Sequence, residues 1–451
     1  ISAPAGPQAS PATERSGLGA CQRSGIRSGR EDRHDVLRVG VVIVAIAVRT
    51  GEQTRQVQMV CLDELVPADD LLRRVEGLVS WHAVRESARP FYVDFGRPGV
   101  DPVVLVKLFL VAALRGIGSM RETLRVAQDS FSVRRFLGYG LAEPLPHHAT
   151  LSYAQCVRFA DSSVFEQLFT QVLGRCAEAG LLDGRRLVVD ATHVEADAAL
   201  SSLRAELRAA GAPAEQEAAP CPADPPSSGA PDLAVALPRT GPTPRRRATN
   251  ATARSLTDPD AALRGKPGQR PHLVHRAQVA TDPKARVIVA VRAERATGHE
   301  GQALPELVRR ARWAGHAVAE LVADSGYAAQ AVYQDLAARG VLALIPPQPN
   351  MLGHPEGRAA RARCRSAAGR GAYIDRQAHA EGAISELKLR HALARARSRG
   401  TPRLQIQLLL AATAINLKRL VSHADAVHDA AAGPSTGMAD ALIWVHQLCL
   451  N

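Results

Sequence analysis

An α/β fold with an all-helical domain in front of it is predicted by three features of the sequence. Apolar residues recur at helical spacing from about residue 59 to residue 182. Short β-branched runs then alternate with helical patterns through the second half, and two of those runs end in an aspartate.

Residues 1–57 are rich in Ser, Gly, Ala and Arg, begin with Ile and have little periodicity, so they are expected to be a disordered extension or the product of a mis-set start. Folded sequence is expected from Met59 on, with Leu62, Leu65, Val66 and the run Leu71 to Val79. Asp101 before Pro102 and VVLVKLFLVAALRG predicts a capped helix, with the carboxylate at N-cap and proline at N1. Ser119 three residues ahead of Glu122 is a capping box that opens the next helix. RRFLGYGL and SSVFEQLFTQVLGRCAEAG continue the pattern to Gly180, giving a helical N-terminal domain over residues 58–182. His147 and His148 are adjacent, so they do not converge on one ion, and a turn leading into a helix is the better reading.

Arg186 to Val189 reads as a strand running into Asp190. The pattern dissolves between residues 200 and 270, where Ala, Pro, Ser and Gly dominate, and a mobile insertion is expected there. A hairpin follows, His275 to Thr281 and Arg286 to Arg292 about the turn Asp282-Pro283-Lys284. Next come a helix over Leu304 to Trp313, a strand from Ala319 into Asp324, a helix to Arg339 stopped by Gly340, a strand at Val341 to Ile345, and a helix from Arg376 to Arg399. The order β, β-β, α, β, α, β, α is that of a ribonuclease-H-like catalytic domain with an insertion after its first strand, here residues 183–425, leaving 426–451 as a tail.

The chain carries a net charge of +12, and the excess is concentrated. Between Glu356 and Arg419 there are 14 basic and 4 acidic side chains, and between Arg239 and Arg270 there are 8 and 2. Clustered arginine of this kind points to a polyanion, because each phosphate contact releases counterions. A membrane surface is the poorer partner, since the basic helix has no bulky apolar face. The seven cysteines are scattered and include no C-x-x-C, which supports neither a zinc site nor a disulfide framework, and a cytoplasmic, nucleoid-associated protein is expected.

Two aspartates at strand ends and a glutamate on a later helix suit a phosphoryl-transfer site that holds two hard divalent ions about 3.5–4 Å apart. Asp190 would bridge both ions, Asp324 would hold one and Glu381 the other. Asp183, Glu195 and Asp197 are weaker choices for the first ligand, since none directly follows the apolar run Leu187 to Val189. On an ideal helix Glu381 and Lys388 share a face, Glu386 points to the opposite side, and Arg376 lies off that face. Singly, Asp190 and Asp324 read better as turn formers, and Glu381 as one charge on a solvated helix face. Their order together favours a site.

These residues resemble bacterial insertion-sequence transposases of the DDE class, in the group whose last motif reads Tyr-x2-Arg-x3 or 4-Glu-x6-Lys. Tyr373, Arg376, Glu381 and Lys388 fit that motif, Asp190 in VVDATHVEADA fits the first and Asp324-Ser-Gly-Tyr327 the second. GRPGVDP (Gly96 to Pro102) and Thr257 to Ala261 are similar to the family's N-terminal domain and linker, so the likeness spans about residues 59–420. The chain departs from many relatives at Pro146 to Thr150, where they have Pro-Asp-His-Ser/Thr-Thr, and at Ile384, where they have Phe.

The resemblance implies that Asp190, Asp324 and Glu381 bind Mg²⁺, with Mn²⁺ as a substitute, and that Tyr373, Arg376 and Lys388 contact DNA or order the site. From the charge pattern, Arg395, Arg397 and Arg399 are expected to track phosphates. The function implied is a transposase that binds the terminal inverted repeats of its own element as a homodimer, cuts them, and joins the 3′-hydroxyl ends to target DNA. The rival readings are a nuclease of the same fold that cuts without joining, and a catalytically dead DNA-binding relic.

Overall fold

A computed structural model describes residues 61–93, 99–205, 249–265 and 270–432. The N-terminal extension, most of the insertion, part of the GRPGVDP motif and the chain beyond residue 432 lie outside the described residues.

Eight helices open the fold: α1 (Leu62–Leu65), α2 (Leu71–Leu78), α3 (Trp81–Ala88), α4 (Pro102–Leu114), α5 (Met120–Asp129), α6 (Phe131–Leu137), α7 (His148–Tyr153) and α8 (Val164–Glu178). The predicted caps form. Asp101 accepts from the Val103 amide at 2.8 Å, and Ser119 accepts from Glu122 at 3.5 Å. His147 caps α7 by accepting from the Ala149 amide, which makes the histidine pair the expected turn into a helix. Residues Val103 to Leu114 of α4 are all buried, so this apolar helix is the axis around which the others pack.

The second half is a mixed sheet flanked by helices. Its strands are β1 (Arg186–Glu195), β4 (Ala262–Arg264), β5 (His272–Asp282), β6 (Val287–Arg295), β7 (Glu320–Val322) and β8 (Leu342–Leu344), while β2 (Leu203–Ala205) and β3 (Ala253–Ser255) form a separate pair. Across the sheet the order is β6 and β4 on one edge of β5, then β1, β7 and β8. β5 runs antiparallel to β1, β4 and β6, whereas β1, β7 and β8 are parallel. The connecting helices are α9 (Leu304–Trp313) and α10 (Gln330–Ala338), followed by α11 (Pro355–Arg365), α12 (Ala367–Arg376), α13 (Gly382–Arg390) and α14 (Thr401–Ala432).

Alternation along β1 divides the core. Leu187 and Val189 face the main core, which continues without a break into the N-terminal helices through α8 and α14. Val188 faces the other way, into a small cluster with Val322, Leu344, Ala372 and Ala380. α14 is long and apolar enough to cross a membrane, but 83% of its apolar window is buried inside the protein, as a core helix requires.

Three expectations are corrected. The helix read from Arg376 to Arg399 begins earlier, at Ala367, passes through a π-turn at Gln377–Glu381 and stops at Arg390, so Arg395, Arg397 and Arg399 lie in the irregular segment between α13 and α14. Part of the supposed mobile insertion is ordered: β3 pairs with β2, and β4 pairs with β5. The supposed tail begins inside α14, which runs to Ala432.

The helical region is pinned against the end of α13. Gly116, at φ +65°, lies so close to this helix that a Cβ there would come 2.6 Å from the Arg390 carbonyl, and His391 donates through Nδ1 to the Ala113 carbonyl at 2.8 Å. Glu386 points away from Glu381 as expected, but it meets buried partners, not solvent. His391 Nε2 stands 3.9 Å away, too far for a hydrogen bond, and Arg419 donates to its carboxylate. These two groups hold the Glu386 carboxyl down at about 2.

A carboxyl group with a depressed folded value adds stability above its unfolded value near 4.5 and loses it as pH falls through about 2. Glu386→Gln should therefore destabilise the protein at pH 7 by on the order of 1–3 kcal/mol, allowing for partial solvent screening. Urea unfolding at several pH values should find the difference shrinking as pH falls from about 4.5 to about 2; a difference that stayed constant would mean the ion pair is not its source.

Candidate catalytic site

The parallel register of β1 and β7 builds the site. Val188 is paired with Val322, and both valines point into the small cluster beneath Ala372 and Ala380. Two residues further along each strand direction, on the same side by alternation, come Asp190 and Asp324. The two carboxylates thus lie on the same side of the sheet, near enough for the charge of Asp324 to act on Asp190. Asp190 remains on β1, with Oδ1 accepting from the Ala191 amide, and Asp324 caps the short turn Ser325–Tyr327 through the Gly326 amide at 2.8 Å.

A third carboxylate, absent from the sequence prediction, stands beside them. A Cβ on Gly326 would lie 2.8 Å from Glu300 Oε2 and 3.0 Å from Asp324 Oδ1, so only glycine lets these two acids approach. Behind them runs a buried polar chain. Arg276, 3% exposed, reaches Glu294 at 3.2 Å and Glu300 at 3.6 Å, Gln278 donates to Glu294 and to the Glu300 carbonyl, and the fully buried Tyr327 donates its hydroxyl to Gln278. Sequence periodicity marks β5 as a strand, but it does not reveal that these polar side chains converge under an acid.

Burial pushes the Asp190 carboxyl up to about 6. The Ala191 amide and Arg376 oppose the shift, and the neighbouring Asp324 and Glu300 add to it. Arg376 Nη1 lies 3.4 Å from Asp190 Oδ2, a charge contact without hydrogen-bond geometry, and Nη1 and Nε are both buried without a hydrogen-bond partner. The guanidinium rests over the Tyr373 ring at 5.1 Å.

Glu381 is placed by the π-turn. In an α-helix it would stand about 140° round from Arg376; the wider turn, closed by i→i+5 bonds, carries it back toward the Arg376 side. Ala380 anchors the turn on Val188 and Val322, while Glu381 itself is exposed. Among the described residues no three His, Cys, Asp or Glu side chains are close enough to share an ion. Asp190 and Asp324 are brought together, and Glu381 is not in contact with them.

The basic residues divide. Lys388 is half-buried, and burial lowers its pKa. Arg395 and Arg399 share Asp197, at 3.3 and 3.9 Å. Arg397 turns into a separate recess against the N-terminal helices. Arg286, in the β5–β6 turn, was not singled out by the sequence; it donates to His379 and lies 3.3 Å from where a Cβ on Gly382 would be.

Two family models match the chain: a Transposase domain (DUF772) over residues 60–155 and a Transposase DDE domain over residues 235–417. The fold, the acid pair and these matches define a transposase. More narrowly, the chain belongs to the DDE-class insertion-sequence transposases. Asp324 and Glu381 fall inside the DDE match, whereas Asp190 precedes it. Among curated proteins none matches. Among solved structures there is a distant likeness to the piggyBac transposase synaptic complex with hairpin DNA, 10% identical, with a TM-score of 0.36 and covering 78% of this chain and 74% of that one.

A carboxyl group whose folded value is raised keeps its stabilising contribution below the unfolded value near 3.8 and loses it as pH rises through about 6. In EDTA, Asp190→Asn should therefore unfold later than the wild type at pH 7, by up to about 3 kcal/mol for a rise of roughly two units. The advantage should vanish near pH 4. A variant less stable than wild type at pH 7 would mean that Arg376 fully compensates the carboxylate.

Proposed function

We propose that the protein binds the ends of its own element, cleaves them by divalent-metal-dependent phosphoryl transfer and joins the freed 3′-hydroxyls to target DNA, using a ribonuclease-H-like catalytic domain. The observation that carries this reading is the pair Asp190 and Asp324, side by side at the ends of parallel strands within a DDE-class chain. The strand arrangement, with β6, β5 and β1 as antiparallel neighbours and β7 and β8 parallel to β1 on its other side, supports the ribonuclease-H-like assignment.

The donor set suits a hard divalent ion. Asp190 is a carboxylate whose proton affinity is raised by burial and by two neighbouring acids, and the nearby guanidinium does not hydrogen-bond to it. Asp190 and Asp324 would hold such an ion, and Glu381, one turn beyond Arg376, would complete the set with a second. Bound there, divalent ions supply charge stabilisation for the attacking and leaving oxygens.

The chain's own residues do the positioning. Arg376, fixed over Tyr373, keeps a positive charge at Asp190, and Lys388 and Arg286 offer cations to the DNA backbone on either side of the π-turn. Arg395 and Arg399 would meet phosphates further along, by exchanging Asp197 for DNA. Water and then the 3′-hydroxyl are the successive nucleophiles, and one acid cluster serves both because the work is orientation and electrostatics. Cutting both ends together calls for a homodimer on DNA.

With Mg²⁺ and DNA carrying the element's ends, Asp190→Asn, Asp324→Asn and Glu381→Gln should each lower cleavage by roughly 100-fold or more while binding in EDTA survives. Gel assays for nicked and joined products separate a transposase from a nuclease, since a nuclease would leave the strand-transfer product absent. Glu300→Gln is the deciding comparison for the third acid. Full cleavage by Glu381→Gln together with loss in Glu300→Gln would move that role to Glu300.

A further inference from the structure

A second π-turn, Ala154–Arg158, lies at the end of α7 and carries Gln155 into a recess on the helical side of the molecule. Its open volume is about 590 Å³. The recess lies between Gly118 to Arg121 at the start of α5, Ser152 with Gln155 and Cys156, and Arg397 with Ser398 from the irregular segment after α13.

Three features give it one chemistry. Among the described residues no acidic side chain lines it. Gln155 is 2% exposed, yet its amide Nε2 has no hydrogen-bond partner among the described residues, and the buried Arg397 Nε has none there either. A buried donor without an acceptor costs on the order of 1–3 kcal/mol, and more when it is charged, so two such donors at one recess are a standing cost that an anion would relieve. The start of α5, capped by Ser119, adds the positive end of a ten-residue helix to the same recess. Burial alone lowers the Arg397 pKa, to about 10, with no carboxylate acting against it. Arg395, two residues before it, donates to Asp197 at 3.3 Å, and Arg399, two residues after it, stands 3.9 Å from the same carboxylate, whereas Arg397 has no carboxylate beside it among the described residues.

We infer that this recess is a phosphate clamp, in which Arg397, Gln155 and the α5 N-terminus grip one phosphodiester of bound DNA away from the acid cluster. This rests on the reading that the protein binds DNA. It goes beyond that reading by separating Arg397 from its flanking arginines and by giving the helical region a definite contact with the duplex. A DNA phosphate is favoured over a free one because the recess opens beside the most basic part of the chain.

The full-length protein tests this in EDTA, where cleavage does not intervene. Binding of a short fluorescein-labelled duplex is followed by anisotropy across a salt series, with thermal melts of each variant. Arg397→Gln should fold as well as wild type, bind about 10-fold more weakly, and lower the slope of log affinity against log salt by about one phosphate's worth, ~0.9. Gln155→Ala should weaken binding several-fold and supplies the same readout if Arg397→Gln does not fold. A folded Arg397→Gln, or failing that Gln155→Ala, with wild-type affinity and slope overturns the clamp. In a parallel arm, millimolar inorganic phosphate is added to the melts. If it stabilises the wild type but not Arg397→Gln, while the duplex slope is unchanged, the recess takes free phosphate and the DNA assignment is overturned. A wild type that binds no duplex at all overturns the DNA reading itself, which separates the two failures.

Discussion

The pairing of Val188 with Val322 is the constraint on which the site depends. Two parallel strands in that register, both with valines turned under Ala380, have no choice about where the next same-side residues go. Asp190 and Asp324 must then stand together, and burial with like charge drives the Asp190 proton affinity up. A slip of one residue would turn one aspartate into the main core and leave the other alone. The register is guarded by the burial of Leu187, Val189 and Leu321 on the opposite face, so the apolar core of the protein fixes the geometry of its most polar point.

From that pair the rest of the architecture follows outward. Ala380 is small enough to sit on both valines, which fixes the π-turn over the strand ends and brings Arg376 against Asp190. α13 leaves the turn and ends against the N-terminal helices, where Gly116 permits contact with the Arg390 carbonyl and His391 bonds to Ala113. The helical region and the sheet therefore share one continuous core, and the orientation of the Glu381 helix is set from both sides.

The elements legible in the sequence are those whose signals are local. Asp101-Pro102 and Ser119 to Glu122 specify helix starts through capping that needs no tertiary partner, and Leu187 to Val189 announces a buried strand by its β-branched run. What could not be read is tertiary in origin. α13 stops at Arg390 although no Gly or Pro follows until Gly400, because His391 is drawn into the core and Ala392 takes a left-handed conformation at φ +54°. β3 and β4 are three residues each, too short for periodicity to declare, and exist because β2 and β5 are there to pair with them. Glu300 lies in a short helical turn after β6, and only the folded chain reveals that Gly326 opens a space for it beside Asp324.

Charge counting met the same boundary. Arg395, Arg397 and Arg399 are equivalent in the sequence, spaced by two in one basic run, yet two lie beside the half-exposed Asp197 and the third turns its Nε into a recess with no carboxylate among the described residues. A summed charge measures long-range attraction to a polyanion, which all three supply. It cannot measure what each guanidinium gains on contact, because that depends on what the group gives up. For Arg395, a phosphate would replace a carboxylate hydrogen bond already in place, and the net change would be small. For the Arg397 Nε it would replace no hydrogen bond, so more of the interaction would be gained. The acid cluster obeys the same logic with the sign reversed. On the proposed function Asp190, crowded by Asp324 and Glu300, would repel a DNA phosphate until cations stood between them. Attraction over the basic surface and repulsion at the acid pair would thus make DNA engagement at the proposed reacting centre conditional on additional positive charge, while engagement elsewhere on the molecule would not be.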